Sequence, residues 1–219
     1  PIKKGDHSSL DIEPSGLSYI KDINKYLMVS DDTLKNDPNV YLLNYDGELD
    51  THIIKANGIK NIKDMEAMTL DELGNLYISS SQSPSKSGKI SKERQKRLKL
   101  TRNGVELNVE SEFELYTALN NLAKLTENED KEWYQLLKNS GSKKNRILLD
   151  VEGIAVANNT MYLGLRNPNI GAREVIILKI EDLANVFKNK TVESTQISVF
   201  KKIQPPIHRD TDRDEGISD

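Results

Sequence analysis

The chain has 219 residues, enough for one large domain or two small ones with a real hydrophobic core. Its 31 basic and 34 acidic residues leave a net charge of −3, which argues against a protein that binds polyanions over its whole surface. The absence of cysteine excludes disulfide scaffolds, thiolate metal sites and cysteine nucleophiles. No apolar run approaches the roughly 20 residues of a membrane-spanning helix.

One short pattern recurs along the chain: an acidic residue followed by a small, an apolar and a second small residue. Its copies are Glu13-Pro14-Ser15-Gly16-Leu17-Ser18, Glu66-Ala67-Met68-Thr69, Glu152-Gly153-Ile154-Ala155 and Glu215-Gly216-Ile217-Ser218. The first copy contains two additional residues, so Glu13 and Ser15 are alternative equivalents of Glu66. The repetition predicts inner strands near residues 15–19, 66–70 and 152–156, and the start of another at Glu215.

Each of the first three copies is followed by three further apolar or β-branched runs, which predict three more strands in each unit. The runs are residues 26–30, 40–45 and 49–55 in the first unit, 76–80, 98–101 and 105–109 in the second, and 161–165, 175–180 and 196–201 in the third. Asp46-Gly47 and Asn103-Gly104 are tight-hairpin signals between neighbouring runs.

Helical periodicity interrupts the strands in two places. Apolar side chains at three- and four-residue steps predict helices over 111–125 and 127–138, and a short third helix over 181–188. The first two helices form a helical insertion, within residues 110–145, in the second unit.

Four short antiparallel strands per unit, with a small-residue inner strand, are typical of a propeller blade. The sequence therefore predicts an all-β fold, a single β-propeller domain over 1–219 with three blades and the start of a fourth. Because common propellers have four to eight blades, we expect a part of a longer propeller, or a ring closed by a completing segment or a second copy of the chain.

Two stretches resemble known propeller families. The first copy followed by Val29-Ser30-Asp31-Asp32 resembles the opening of the phytase esterase-like propeller domains. The second stretch is similar to a related, largely uncharacterised bacterial family, in which an EGLA motif is followed by a GLRGP or GLRNP motif. The residues that carry this similarity are Leu148-Leu149-Asp150-Val151-Glu152-Gly153-Ile154-Ala155 and then Tyr162-Leu163-Gly164-Leu165-Arg166-Asn167-Pro168. The resemblance implies a propeller fold more strongly than a reaction, and a secreted or periplasmic location. Such proteins often have Ser-His-Ser where this chain has Ser81-Gln82-Ser83.

The repeated glutamates are the main functional lead. If each begins an inner strand, Glu66, Glu152 and Glu215 converge on one mouth of the channel, with Glu13 nearby. Carboxylates that meet there repel one another unless a cation lies among them or some stay protonated, and hard oxygen ligands favour Ca²⁺ or Mg²⁺. The candidate metal ligands, with Ca²⁺ as the cofactor, are Glu13, Asp32, Glu66, Glu152 and Glu215. In the alternative, each glutamate accepts backbone N–H bonds and has a structural role.

Arg166 follows the second strand of the third unit and can pair with Glu152 or hold an anionic substrate through its planar guanidinium. Asp31 and Asp32, at the corresponding place in the first unit, can bind a cation or cap a loop. The candidate catalytic residues are Glu66, Glu152 and Arg166.

Two functions from different classes remain open. One is a metal-assisted hydrolase that acts at the channel mouth on a small ester, lactone or phosphate ester. The other is a non-catalytic propeller that binds a protein or ligand, with structural glutamates. The chain has no Gly-x-Ser-x-Gly or His-Glu-x-x-His motif and three scattered histidines, which argues against a serine triad and a zinc site.

The segment 86–102 contains eight basic residues and a single acidic one, Glu93. It has no aromatic residue on which bases could stack, and an acidic run follows it. We therefore expect the two runs to form complementary internal surfaces, and we expect no nucleic-acid partner.

Overall fold

The computed structural model describes residues 12–31, 40–54, 56–59, 61–84, 90–139, 149–170 and 174–204. In this part of the chain, twelve strands form three four-stranded antiparallel sheets, and the strand order in each sheet follows the chain. The first sheet contains β1 (Pro14–Ile20), β2 (Lys25–Ser30), β3 (Val40–Asn44) and β4 (Leu49–Ile54). The second contains β5 (Met65–Leu70), β6 (Leu76–Ser80), β7 (Lys96–Asn103) and β8 (Glu106–Glu114). The third contains β9 (Asp150–Ala157), β10 (Thr160–Ile170), β11 (Glu174–Ile180) and β12 (Ile197–Ile203). The all-β class and the three predicted inner strands, β1, β5 and β9, are confirmed.

Both predicted tight hairpins are present. Gly47 lies between β3 and β4 with φ of +84°, and Gly104 lies between β7 and β8 with φ of +58°. These left-handed conformations are accessible to glycine without the steric penalty that a Cβ atom brings. The two Asx-Gly pairs therefore reverse the chain in the way that their sequence predicts.

Each helix overlaps its predicted range, but the first begins at residue 115 rather than 111 and the second at residue 132 rather than 127. The helices are α1 (Leu115–Leu122), α2 (Glu132–Asn139) and α3 (Leu183–Asn189). The prediction of a helix from residue 111 was wrong because β8 extends to Glu114 and pairs with β7 across the ladder. None of these helices has the length and apolar composition that a membrane span requires.

Cross-strand ion pairs explain why residues 110–114 are extended. Lys96 and Lys99 of β7 contact Glu112 and Glu110 of β8, each at 3.0 Å. Opposite charges across an antiparallel ladder stabilise the pairing, so glutamates that could begin a helix find partners in a strand instead. These contacts also confirm that the basic run pairs with the acidic run that follows it.

The core lies between the sheets. One hydrophobic cluster fills the space between the first and second sheets, and another joins the second and third sheets and includes α1, α2 and α3. The inner strand β5 contacts both β1 and β9. A Cβ atom at Gly16 would lie 2.7 Å from the backbone nitrogen of Met68, so the closest approach of β1 to β5 requires glycine. The two inner strands are therefore in direct backbone contact, and the candidate site lies near their beginnings.

Candidate functional site

The inner strands share one irregularity. Each is paired regularly with its neighbouring strand except near its beginning, where one residue has no counterpart across the ladder. This extra residue is Ser15 in β1, Glu66 in β5 and Glu152 in β9. Such a β-bulge redirects a side chain and is common beside functional sites. Ser15 is therefore the equivalent of Glu66, which decides between the two alternatives left by the sequence.

A second equivalent position lies two residues before each bulge, and it carries an acid in every sheet: Glu13, Asp64 and Asp150. The carbonyl oxygen of Glu13 accepts a hydrogen bond from the backbone N–H of Asp31 at 3.0 Å, and that of Asp64 accepts one from Ser81 at 2.9 Å. In the third sheet, Asp150 lies opposite Asn167, next to Arg166. In each sheet, the residues at the end of the second strand therefore lie beside the acid that precedes the bulge.

Three carboxylates converge where the first sheet meets the second. Asp31, Asp64 and Glu66 each offer an oxygen atom, and these atoms lie within 4.8 Å of one another. Asp64 and Glu66 are buried and Asp31 is half-buried. Two oxygens that each lie about 2.4 Å from one ion are at most about 4.8 Å apart, which is the range of calcium coordination. The group therefore has the spacing and the chemistry of a site for a hard cation.

The raised pKa of Asp31 reflects its burial first and the neighbouring carboxylates second. Burial raises the pKa of Asp31 to about 7, with further contributions from its hydrogen bond to Asp64 and from the charges of Asp64 and Glu13. Arg94 opposes the increase. A carboxyl group in this position either retains a proton or is ionised beside a cation.

Asp64 is held by residues of the connection between β6 and β7. It accepts a hydrogen bond from Ser81 Oγ and forms an ion pair with Arg94. The Nε–H of Arg94 also donates to the carbonyl of Ser83 at 3.1 Å. Asp64 and Gln82 have φ of +59° and +68°, which costs about 1 kcal/mol or more for residues other than glycine. This strain lies in the backbone that positions the acidic group.

Gln82 stabilises the turn that follows β6. Its side-chain amide donates to the carbonyl oxygens of Ser80 and Arg94, at 2.9 and 3.3 Å, and its Oε1 accepts the N–H of Tyr116. Gln82 is fully buried. The residue therefore connects β6 and the segment before β7 to the start of α1.

The third sheet has a different acidic group, which an arginine neutralises. Arg166 donates from Nε to Asp150 Oδ2 at 2.9 Å, and its Nη1 lies 2.7 Å from Glu152 Oε1. Both acids are 4% exposed, whereas the Arg166 side chain is 53% exposed. Partial burial lowers the pKa of Arg166, but the charges of Asp150, Glu152 and Glu66 outweigh it and raise the pKa overall. The predicted pairing of Arg166 with Glu152 is confirmed.

The family described as "Protein of unknown function (DUF3616)" matches residues 88–204, more than half of the chain. The chain belongs to this family. The family segment includes Arg94, Arg166, Asp150 and Glu152, and it begins after Asp64 and Glu66. No curated protein matches the chain. The DUF3616 match gives no support for the phytase-like resemblance.

The site residues predicted from the sequence have different positions in this DUF3616 protein. Glu66 joins the carboxylate group, Glu152 joins Arg166, and both glutamates act electrostatically on that arginine. Glu13 is exposed and influences Asp31 through its charge. Asp32 and Glu215 lie outside the described residues.

The sequence analysis missed Asp64, Asp150 and Arg94. The two acids could have been found, since each lies two residues before a repeated glutamate in the same way that Glu13 lies before Ser15. Arg94 carries no such signal, because it belongs to a basic run in which nothing distinguishes it from its neighbours.

Proposed function

We propose that the chain is a metal-assisted hydrolase whose divalent cation, Ca²⁺, is held by Asp31, Asp64 and Glu66. The observation that carries the proposal is that one oxygen from each of these three carboxylates lies within 4.8 Å of the other two. Calcium takes oxygen ligands at about 2.3–2.6 Å and accepts irregular geometry, which fits ligands supplied by two different sheets.

The proposal takes the three sheets to be blades of a propeller and the acidic group to lie at one mouth of its channel. It is supported by the strand order within each sheet, by the contacts of β5 with both other inner strands, and by the close approach at Gly16. Propeller enzymes place their chemistry at such a mouth because loops and strand ends from all blades meet there.

A cation in this position would act as a Lewis acid on an ester, lactone or phosphoryl oxygen. The residues of the chain then have separate roles. Glu66 and the two aspartates bind the cation, and Arg166, which is more than half exposed, orients an anionic part of the substrate. Asp150 and Glu152 fix the direction of the Arg166 guanidinium.

A non-catalytic binding module is the second candidate. The observation that favours it is the internal neutralisation of the acids: Arg166 pairs with both Asp150 and Glu152, and Arg94 pairs with Asp64. Ion pairs of this kind give Glu152 and the two aspartates a structural role, and a mouth arranged in this way would bind a ligand without reacting with it.

Thermal unfolding with calcium and with a chelator tests the cation site. Ca²⁺ should raise the melting temperature of the wild type because it binds the folded state, and Glu66→Gln should abolish the increase. Glu48→Gln, which changes an exposed glutamate in the β3–β4 hairpin, is the matched control and should respond like the wild type. A wild type whose melting temperature is unchanged by both Ca²⁺ and Mg²⁺ would contradict the proposal.

Hydrolysis assays separate the two candidates. With p-nitrophenyl acetate and p-nitrophenyl phosphate as probes, a hydrolase should lose activity in chelator and in the Glu66→Gln variant, and retain it in Glu48→Gln. A calcium response without hydrolysis of either probe would favour the binding module.

A further inference from the structure

Arg97 places a guanidinium group inside the hydrophobic core. The residue lies in β7 and is 0% exposed. It is paired with Ser79 of β6 and Phe113 of β8, and residues paired across an antiparallel ladder share one face of the sheet. Phe113 belongs to the hydrophobic cluster between the second and third sheets. The Arg97 side chain therefore faces that cluster.

The contacts of this guanidinium are one-sided. Nη1 donates to the carbonyl oxygens of Ser80 at 2.6 Å and Lys96 at 3.3 Å. The Nε and Nη2 atoms are buried and have no hydrogen-bond acceptor, and no carboxylate in the described part of the chain forms an ion pair with Arg97. Burial lowers the pKa of Arg97 to about 9, so the group still carries its charge at neutral pH.

The unsatisfied donors lie along one edge of the planar group. Nε–H and one Nη2–H point in the same direction, and this edge makes the two parallel hydrogen bonds of a bidentate contact with a carboxylate. A buried charge without a partner is strongly unfavourable, and so is a buried donor without an acceptor. A single planar oxyanion at this edge would relieve both penalties.

We infer that the folded chain encloses a small planar oxyanion, of the formate or nitrate class, bound by Nε and Nη2 of Arg97. The Nη1 of the same residue holds the carbonyl of Ser80, and Ser81, the next residue, donates to Asp64. The anion therefore stabilises the end of β6, which supports the acidic group. The inference rests on Arg97 alone and is independent of the proposed hydrolase.

Refolding in different salts at one ionic strength tests the inference. Protein refolded in formate or nitrate should melt at a higher temperature than protein refolded in gluconate, which is too bulky to be enclosed. Each tenfold increase in formate above its dissociation constant should raise the melting temperature by about 3 °C. Equal melting temperatures in all three salts would overturn the inference.

Two variants identify the binding residue. Arg97→Met keeps a long unbranched side chain without charge, and it should lose the formate response and be at least as stable as the wild type in gluconate. Arg102→Met removes a nearby arginine that pairs with Asp22 at the surface, and it should keep the response. A formate response that persists in Arg97→Met would overturn the assignment.

A measurement on the unaltered protein covers the case in which Arg97→Met does not fold. The Nε–H resonance of Arg97 in ¹⁵N-labelled wild type should differ between protein refolded in formate and in gluconate. The same resonance position in both salts would count against an enclosed anion.

Discussion

Asp64 and Glu66 in the second sheet and Asp150 and Glu152 in the third occupy equivalent positions, with one acid on the bulge and the other two residues before it. They differ in the residue that the neighbouring sheet or strand presents to them. Asp31 adds a third carboxylate to the first pair, whereas Arg166 neutralises the second pair. One backbone arrangement therefore supports either a cluster of three carboxylates, in which Arg94 pairs with Asp64, or a pair of acids that share one arginine, depending on the charged residues around it.

The largest expected effect comes from removal of the arginine. Arg166→Met should lower the free energy of unfolding by about 3 kcal/mol, because Asp150 and Glu152 are buried and lose their shared cation. Urea denaturation at pH 7 measures the loss. It should be smaller in the Arg166→Met, Glu152→Gln double variant, and a loss unchanged by the second substitution would show that Arg166 stabilises the fold in another way.

The next largest effect is expected when Asp64 and Glu66 are given an arginine, as Asp150 and Glu152 already have. Asp31→Arg supplies a cationic side chain to Asp64 and Glu66, so the variant should be more stable than the wild type in chelator and should show no calcium response. Calorimetric titration with Ca²⁺ and thermal melts in chelator check both parts. Calcium binding that survives Asp31→Arg would exclude Asp31 from the cation site.

The third prediction concerns pH. The pKa of Asp31 is raised from 3.8 to about 7 in the folded state, so the folded chain binds more protons than the unfolded chain between these values. The free energy of unfolding in chelator should therefore fall as pH rises from about 4 to about 7, by on the order of 1 kcal/mol, because solvent screens a partly exposed group. Asp31→Asn should remove this contribution, and Asp46→Asn, an exposed control, should not. Identical pH profiles for wild type and Asp31→Asn would contradict the prediction.

The smallest effect is expected in the first sheet. Ser15→Glu introduces at the third bulge the residue type found at the other two. In chelator it should destabilise the chain by less than about 1 kcal/mol, because Ser15 Oγ accepts the Asp31 N–H and a further carboxylate adds repulsion. In calcium the difference should shrink or reverse. A variant that is equally destabilised in both conditions would place Ser15 away from any cation.

Much of the fold could be predicted because it is encoded locally and repeated. The acidic–small–apolar–small pattern located β1, β5 and β9, and Asx-Gly pairs located two hairpins. The end of β8 could not be predicted in this way, since residues 110–114 fit a helix by periodicity and become a strand through lysines of β7. A contact across a ladder outweighed the local signal there.

The candidate site was predictable in part. Glu66 followed from the repeat, and pairing with Glu152 was one of the two roles predicted for Arg166. Asp31 was considered together with Asp32, but the predicted metal ligand was Asp32, which lies outside the described residues. Asp64 was missed because it lies before its strand. Its backbone is left-handed, a conformation that cannot be expected from the sequence for a residue other than glycine. Arg94 and Arg97 are three residues apart in one basic run, yet one pairs with Asp64 and the other enters the core. Their different environments result from tertiary packing, which cannot be predicted from the composition of the basic run.

The bulges at positions 15, 66 and 152 also have a consequence for diversification. These residues lie between consecutive residue pairs of the ladder and therefore do not set its register, although the Glu152 side chain pairs with Arg166. A library randomised at these three positions would vary the chemistry of three neighbouring strand ends while it retains the same scaffold. The fold thus separates the residues that set the register of its sheets from the bulge residues that determine the charge at the strand ends.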